Sequence, residues 1–162
     1  MVDANPSDNR EIERKYLLRA LPSADRLASA TSLELDQGYI PGIRINERIR
    51  RAKGPDGVKY YRTMKFGGGL DRLELEDETT EEFFMATWPL TRGARVWKRR
   101  YLVPDADVVW EIDEFLDRSG LWLAEVELEH VDQVVTIPDW LEPVIVREVT
   151  FEKGYTNRAL AK

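Results

Sequence analysis

Charged side chains recur at every second position through most of this chain, and that alternation constrains the fold more than any other feature. A period of two marks strands that present different residues to their two faces. The run Glu11-Ile12-Glu13-Arg14-Lys15-Tyr16-Leu17 sets Glu11, Glu13 and Lys15 on one face. Arg44-Ile45-Asn46-Glu47-Arg48-Ile49-Arg50 does the same for Arg44, Asn46, Arg48 and Arg50. Residues 58–66 read as a strand with Lys65 near its end, and Gly67-Gly68-Gly69 as a turn. Arg72, Glu74 and Glu76 then share a face opposite Leu73 and Leu75, and residues 95–103, 108–115 and 121–129 alternate likewise. Strands separated by turn signals at this spacing predict an antiparallel barrel or sandwich. Helical signals are fewer: residues 22–28 capped by Ser23, a Thr79/Glu82 capping box opening a helix that stops near Trp88-Pro89, and one turn at 138–141.

At 162 residues the chain is one domain's worth of sequence. Residues 1–10 are polar and read as a flexible tail, leaving 11–162 as a single domain without linkers or repeats. With 24 Lys plus Arg against 30 Asp plus Glu, the net charge of -6 argues against a general nucleic-acid binder. No apolar run approaches the length of a membrane span, and the first ten residues lack the hydrophobic core of a signal peptide. The absence of cysteine excludes disulfides, zinc–thiolate sites and thiol nucleophiles, and the lone His130 excludes a polyhistidine metal site. The expectation is a cytoplasmic domain that engages neither nucleic acid nor membrane, its oligomeric state open, a dimer included.

An ordinary half-exposed sheet has a polar face that is merely wet. Here the charged rows recur on nearly every strand and mix signs in a pattern. Acid pairs at i and i+2 are Glu11/Glu13, Glu74/Glu76, Glu111/Asp113 and Glu125/Glu127; basic pairs are Arg48/Arg50 and Lys98/Arg100, with Lys15, Lys65 and Arg72 beside them. If the sheet curls, these faces meet across an enclosed space, and a barrel of about eight strands leaves room for one small ligand. Unpaired buried ions cost several kcal/mol each, so such an interior is wet and holds compensating ions. Carboxylates suit Mg²⁺ or Mn²⁺, and Arg forks onto phosphate oxygens. A metal-chelated phosphate chain satisfies both.

The same residues carry a family resemblance. Glu11-Ile12-Glu13-Arg14-Lys15 resembles the ExExK signature of the CYTH superfamily, the triphosphate tunnel metalloenzymes. Gln37-Gly38-Tyr39-Ile40, Arg48-x-Arg50, Thr63-Met64-Lys65, Arg72-x-Glu74-x-Glu76, Lys98-x-Arg100, Glu111-x-Asp113 and Glu125-x-Glu127 follow in the family's order, and Tyr155-Thr156-Asn157-Arg158-Ala159-Leu160 resembles its C-terminal end. The match spans about Glu11 to Leu160 and looks most like the short bacterial members associated with inorganic triphosphatase activity. It implies a mainly β, α+β fold: a closed antiparallel barrel of about eight strands forming a tunnel, a few helices packed outside, a divalent metal, and a small-molecule triphosphate substrate.

Carried over residue by residue, the resemblance implies that Lys15, Arg48, Arg50, Lys65, Arg72 and Arg100 hold the phosphate chain. Glu11, Glu13, Glu111, Asp113, Glu125 and Glu127 become metal ligands, with Glu74, Glu76 and Lys153 as secondary candidates. Lys98 and Tyr39 become catalytic, the tyrosine as a proton acceptor whose phenolate Lys98 favours if the two meet. Trp97 departs from the family pattern but by alternation points outward. Hydrolysis of inorganic triphosphate to pyrophosphate and phosphate is the leading expectation. The alternatives are a class IV-type adenylate cyclase, a thiamine or nucleoside triphosphatase, and a non-catalytic module binding polyphosphate or nucleotides.

Overall fold

The alternating segments become strands of one antiparallel sheet in a computed structural model that describes residues 10–42, 46–66 and 71–162. Residues 1–9 of the expected tail, Arg44 and the Gly67–Gly69 turn lie outside the described residues, as does the Arg72 side chain. In chain order come β1 (Arg10–Leu18), α1 (Ala24–Ala28), β2 (Thr31–Ile40), β3 (Asn46–Gly54), β4 (Gly57–Phe66), β5 (Asp71–Thr79), α2 (Glu81–Thr87), β6 (Arg95–Asp105), β7 (Val108–Phe115), β8 (Trp122–Leu128), β9 (Ile145–Glu148) and α3 (Asn157–Leu160), with short 3₁₀ turns between some of them. Spatially the strands run β5-β4-β3-β2-β6-β7-β8-β1-β9.

That order corrects the expected closed barrel of about eight strands. Among the described residues the sheet has nine strands, and β1 is where closure falls short. One edge of β1 pairs with β8 over Ile12–Leu18. Its other edge is divided: Arg10, Glu11 and Ile12 meet β5, whereas Tyr16, Leu17 and Leu18 meet β9. Three residue pairs cannot seal a seam that β9 occupies at its far end. The result is a curled, tunnel-like sheet.

Residues directly opposed in a ladder point to the same side, so the registers assemble the alternating charges into rows. On the inner face Lys15 opposes Glu125, Glu125 opposes Glu111, and Glu13 opposes Glu127. Farther round, Arg100 opposes Asp113; Tyr39 opposes Arg48, Arg48 opposes Thr63, and Thr63 opposes Glu76. One end of this inner face turns apolar, where Val96, Phe115 and Leu123 pack with Val149 and Leu160 from the C-terminal segment. The outer face of β1, β6, β7 and β8 is apolar in the complementary positions: Ile12, Tyr16, Val103, Trp110, Ile112, Ala124 and Val126 are buried with Leu141. Each large side chain so covered contributes roughly 1.5–3 kcal/mol, and this layer lets the opposite face stay charged. Trp97 is 49% exposed on the outside, as alternation predicts.

The Ser23 cap forms, accepting from the Arg26 N–H at 3.4 Å. The cap of α2 is Thr80, one residue beyond the expected Thr79, because β5 runs on through Thr79 and leaves the next hydroxyl to accept from Phe83. Two strands have no counterpart in the sequence reading, β9 and β2. In β2, Gly38 is required by close approach: a Cβ there would sit 2.5 Å from the Thr91 side chain.

Candidate active site

The inner face bounds two adjoining chambers that share Glu13, Arg48, Lys65 and Asn157 as walls. The larger, about 990 Å³, is acidic: among the described residues nine carboxylates line it against Arg48, Arg50, Lys65 and Arg100. The smaller, about 260 Å³, is cationic, with Lys15, Arg48, Lys65, Lys153 and Arg158 against Glu13 and Glu152. Its outer wall is the C-terminal segment after β9, which also brings Tyr155 and Asn157. Tyr39 faces this smaller space.

Most inner charges are already paired. Arg100 forks onto Asp113 with two bonds of 2.7 Å, reaches Glu125 at 2.8 Å, and also contacts Glu111. Lys15 meets Glu125 at 2.7 Å and Glu13 at 3.6 Å. Arg48 lies 3.0 Å from Glu76 and 3.3 Å from Glu74, and Arg50 lies 2.8 Å from Glu76. The Thr63 hydroxyl accepts from Arg48 and donates to Glu76 at 2.7 Å. Lys65 bridges Glu11, at 3.2 Å, and Glu74.

This crowding moves the protonation equilibria. Burial disfavours the Glu125 carboxylate, but Lys15 and Arg100 outweigh it and hold its pKa well below the ordinary range. Burial likewise opposes Glu76, and the Arg50 and Arg48 charges win there too. Glu111 goes the other way: burial, helped by Glu125 and Asp113, raises its pKa despite Arg100. Lys98, 1% exposed, is pushed down to about 8 by burial and by Arg100, against the pull of Asp113.

The two expected catalytic residues are thus differently placed. Lys98 lies behind the chamber walls, its Nζ bonded to Asp113 and, at 3.1 Å, to Asn157 Oδ1. Tyr39 Oη accepts from Gln37 at 3.5 Å, and the Arg158 guanidinium sits 5.7 Å from its ring centre. Burial raises the Tyr39 pKa, and the cations Arg48, Lys15 and Arg158 oppose this rise. The group rests as a neutral phenol.

The carboxylates fit a hard divalent cation in chemistry. The donors are all oxygens, and like charges stand directly opposed in two registers, Glu13 with Glu127 and Glu111 with Glu125. Opposed like charges destabilise a ladder unless a cation lies between them, and Arg100 already does so for Glu111 and Glu125. Among the described residues no three His, Cys, Asp or Glu side chains converge tightly enough to grip an ion as they stand. Asp113 is fully enclosed with both oxygens engaged by Arg100 and Lys98.

An inorganic triphosphatase of Nitrosomonas europaea is 38% identical to the chain over 158 residues, covering 93% of this chain and 96% of the relative. The chain belongs to the inorganic triphosphatase family. A second member, from Acetivibrio thermocellus, is 34% identical over 161 residues, with 94% of each chain covered. A crystal structure of an inorganic triphosphatase superposes with a TM-score of 0.64 at 34% identity, covering 93% of both chains. A Pyrococcus horikoshii structure shares the fold at 20% identity, with a TM-score of 0.52 and 82% of each chain covered. No protein-family model matches the chain.

Three contributors stand in the sequence motifs without a role assigned to them. Thr63 lies between Tyr61 and Lys65 in the inward register, and alternation points to it once β4 is placed. Gln37 reaches Tyr39, but its place in a Gln-Gly-Tyr run reads as a turn. Asn157, in the C-terminal motif, carries no charge to draw notice.

Proposed function

We propose that this chain hydrolyses inorganic triphosphate to pyrophosphate and phosphate, with a divalent cation, Mg²⁺ or Mn²⁺, held in the acidic chamber. The observation that carries this reading is the pairing of a carboxylate-rich chamber with a cation-rich one around shared walls. Glu11, Glu13, Glu111 and Glu127 are the proposed ligands; Asp113 and Glu125 instead hold Lys98, Arg100 and Lys15 in place. When bound, the metal shields phosphate oxygens and acidifies the attacking water.

The chain's own part is exchange of partners. A triphosphate competes with Glu76 for Arg48 and Arg50 and with Glu11 for Lys65, and each carboxylate it displaces is freed to face a cation. Charge balance is thus kept at every stage of binding, which avoids the cost of stranding a buried ion. Arg48, Arg50, Lys65, Arg72 and Arg100 grip phosphate oxygens, and Lys15 and Lys153 extend the cationic wall. Phosphoryl transfer asks mainly for in-line positioning and charge stabilisation, so no covalent nucleophile is needed. Lys98 Nζ, with a pKa of about 8, is the amine poised to change protonation, and Tyr39 Oη serves as a phenolic donor in the smaller chamber. The one sheet that builds both chambers supports reading 11–162 as a single domain.

Phosphate release from triphosphate, ATP, GTP and thiamine triphosphate, each with Mg²⁺ or Mn²⁺, tests the reading. Pyrophosphate plus phosphate from triphosphate is the expected result. Cyclic AMP as main product would transfer the site to a cyclase, and binding without phosphate release would make it a non-catalytic module.

A further inference from the structure

Lys98 is almost fully enclosed, so something else must present the adjoining chamber wall to substrate. Asn157 stands in that position. It lines both chambers, and its Oδ1 accepts from Lys98 Nζ at 3.1 Å. An ammonium can only donate, so the amide oxygen must face Lys98 and the Nδ2 donors must face the other way. Among the described residues, Nδ2 donates to none. The result is a fixed, neutral hydrogen-bond donor at the junction between the acidic and the cationic spaces.

The backbone holds it there firmly. Thr156 Oγ1 accepts from the Ala159 N–H at 3.2 Å, and Leu160 is buried in the apolar cluster at the tunnel's end. Arg95 and Lys162 exchange two backbone hydrogen bonds of 2.9 Å, pinning the chain beyond it to β6. A donor held this way suits a phosphate oxygen, since its orientation is set before the anion arrives.

We propose that Asn157 is a substrate-binding residue that donates Nδ2–H to a phosphate oxygen of the triphosphate, its orientation locked by Lys98 behind it. The proposal rests on the triphosphatase reading of the site.

Two variants separate this from a role in merely holding Lys98. Asn157→Asp keeps an oxygen for Lys98 but replaces the donor with a repelling carboxylate; Asn157→Ala removes both. Each is compared with wild type by calorimetric titration of inorganic triphosphate into metal-free protein, by KM and kcat with Mg²⁺, and by thermal midpoint. The expected order of affinity is wild type, then Asn157→Ala about 5-fold weaker, then Asn157→Asp at least about 10-fold weaker. KM should follow the same order, with thermal midpoints close to wild type. Wild-type affinity and KM in Asn157→Asp, with losses confined to Asn157→Ala, would overturn the proposal in favour of a Lys98 prop. Weaker binding matched by a collapsed thermal midpoint in both variants would overturn it in favour of a purely structural role. If wild type binds triphosphate without hydrolysing it, the triphosphatase reading fails while the affinity order still decides the role of Asn157.

Discussion

The acidic and the cationic chamber share three charged walls yet hold their charges in different ways. In the acidic space the cations are sunk into the sheet: Arg100 and Arg48 are buried and each meets more than one carboxylate. In the cationic space Lys153 and Arg158 are exposed and stand on a segment outside the sheet. Charges on a sheet are fixed by register, so their partners are set when the strands pair. Charges on the strap are fixed by a few bonds to the sheet, such as Val149 N–H to Lys15 O at 2.8 Å and the Thr150 hydroxyl accepting from the Lys15 N–H at 3.1 Å. Fold stability and charge are tied together in the first chamber and nearly independent in the second.

The largest expected effect tests the acidic chamber alone. Excess chelator should lower turnover of inorganic triphosphate by about 10⁴-fold or more, because the attacking water needs its acidity raised and the phosphate oxygens need their charge shielded. Restoring Mg²⁺ or Mn²⁺ should restore the rate, as phosphate release reads directly. Full turnover in chelator would remove the metal from the site.

Next comes a contrast in stability. Arg100→Met removes a shared cation from Asp113, Glu111 and Glu125, leaving Lys98 on Asp113 and Lys15 on Glu125, and should cost about 3 kcal/mol in denaturant unfolding. Arg158→Ala, exposed and on the strap, should shift stability by less than about 0.5 kcal/mol. Similar losses from both would erase the distinction between register-held and strap-held charge.

Lys98→Ala belongs to the sheet but acts on chemistry. It should lower kcat about 100-fold, the range expected of a group that handles a proton. Asp113 keeps its two bonds to Arg100, so the fold should persist by circular dichroism. A near-normal rate in a folded Lys98→Ala variant would remove Lys98 from the mechanism.

These sheet residues are also the ones that the sequence made legible. Glu11, Glu13, Lys15, Arg48, Arg50, Lys65, Glu74, Glu76, Arg100, Glu111, Glu125 and Glu127 sit at alternating positions, and all line a chamber. Alternation tells which face a residue takes but not how the ends of a sheet meet. The divided edge of β1 was invisible for that reason, and a barrel was expected where a curled sheet forms. β2 was hidden because Gln37-Gly38 carries turn residues, although Gly38 is there to let Thr91 approach. The strap is legible only in part: Lys153 and the Tyr155–Leu160 motif stand out in the sequence, but the backbone bonds that dock residues 149–158 on the sheet leave no periodic trace.

The pH dependence of stability sharpens the account of the enclosed charges. Folding brings Lys98 from its ordinary 10.5 down to about 8. Between those values the folded chain has shed this proton and the unfolded chain still binds it, so stability rises with pH across the interval. Burial raises Tyr39 and Tyr16, which reverses the trend once unfolded tyrosines ionise near pH 10. The rise should therefore appear between about pH 8 and 10 and amount to about 2 kcal/mol at low salt. Lys98→Met should flatten it, and a slope unchanged in that variant would assign the titration to another group.

The smallest expected effect concerns which chamber chooses the substrate. Inorganic triphosphate presents charge at both ends, so one end can meet the cationic strap while the middle meets the buried arginines. ATP must instead place adenosine where the chain of phosphates would end. The space beside Tyr39 is about 260 Å³, and Lys15, Arg48, Lys65, Lys153 and Arg158 line it. An uncharged nucleoside there displaces water from those cations and returns no anion to them, a desolvation cost without compensation. Inorganic triphosphate should accordingly exceed ATP by about 10-fold in kcat/KM, equivalent to about 1.4 kcal/mol of transition-state preference. Because the strap supplies the difference, Lys153→Ala combined with Arg158→Ala should narrow the ratio while leaving ATP turnover nearly unchanged. If the double variant loses both substrates in equal proportion, the preference resides in the sheet and the two chambers do not divide the work.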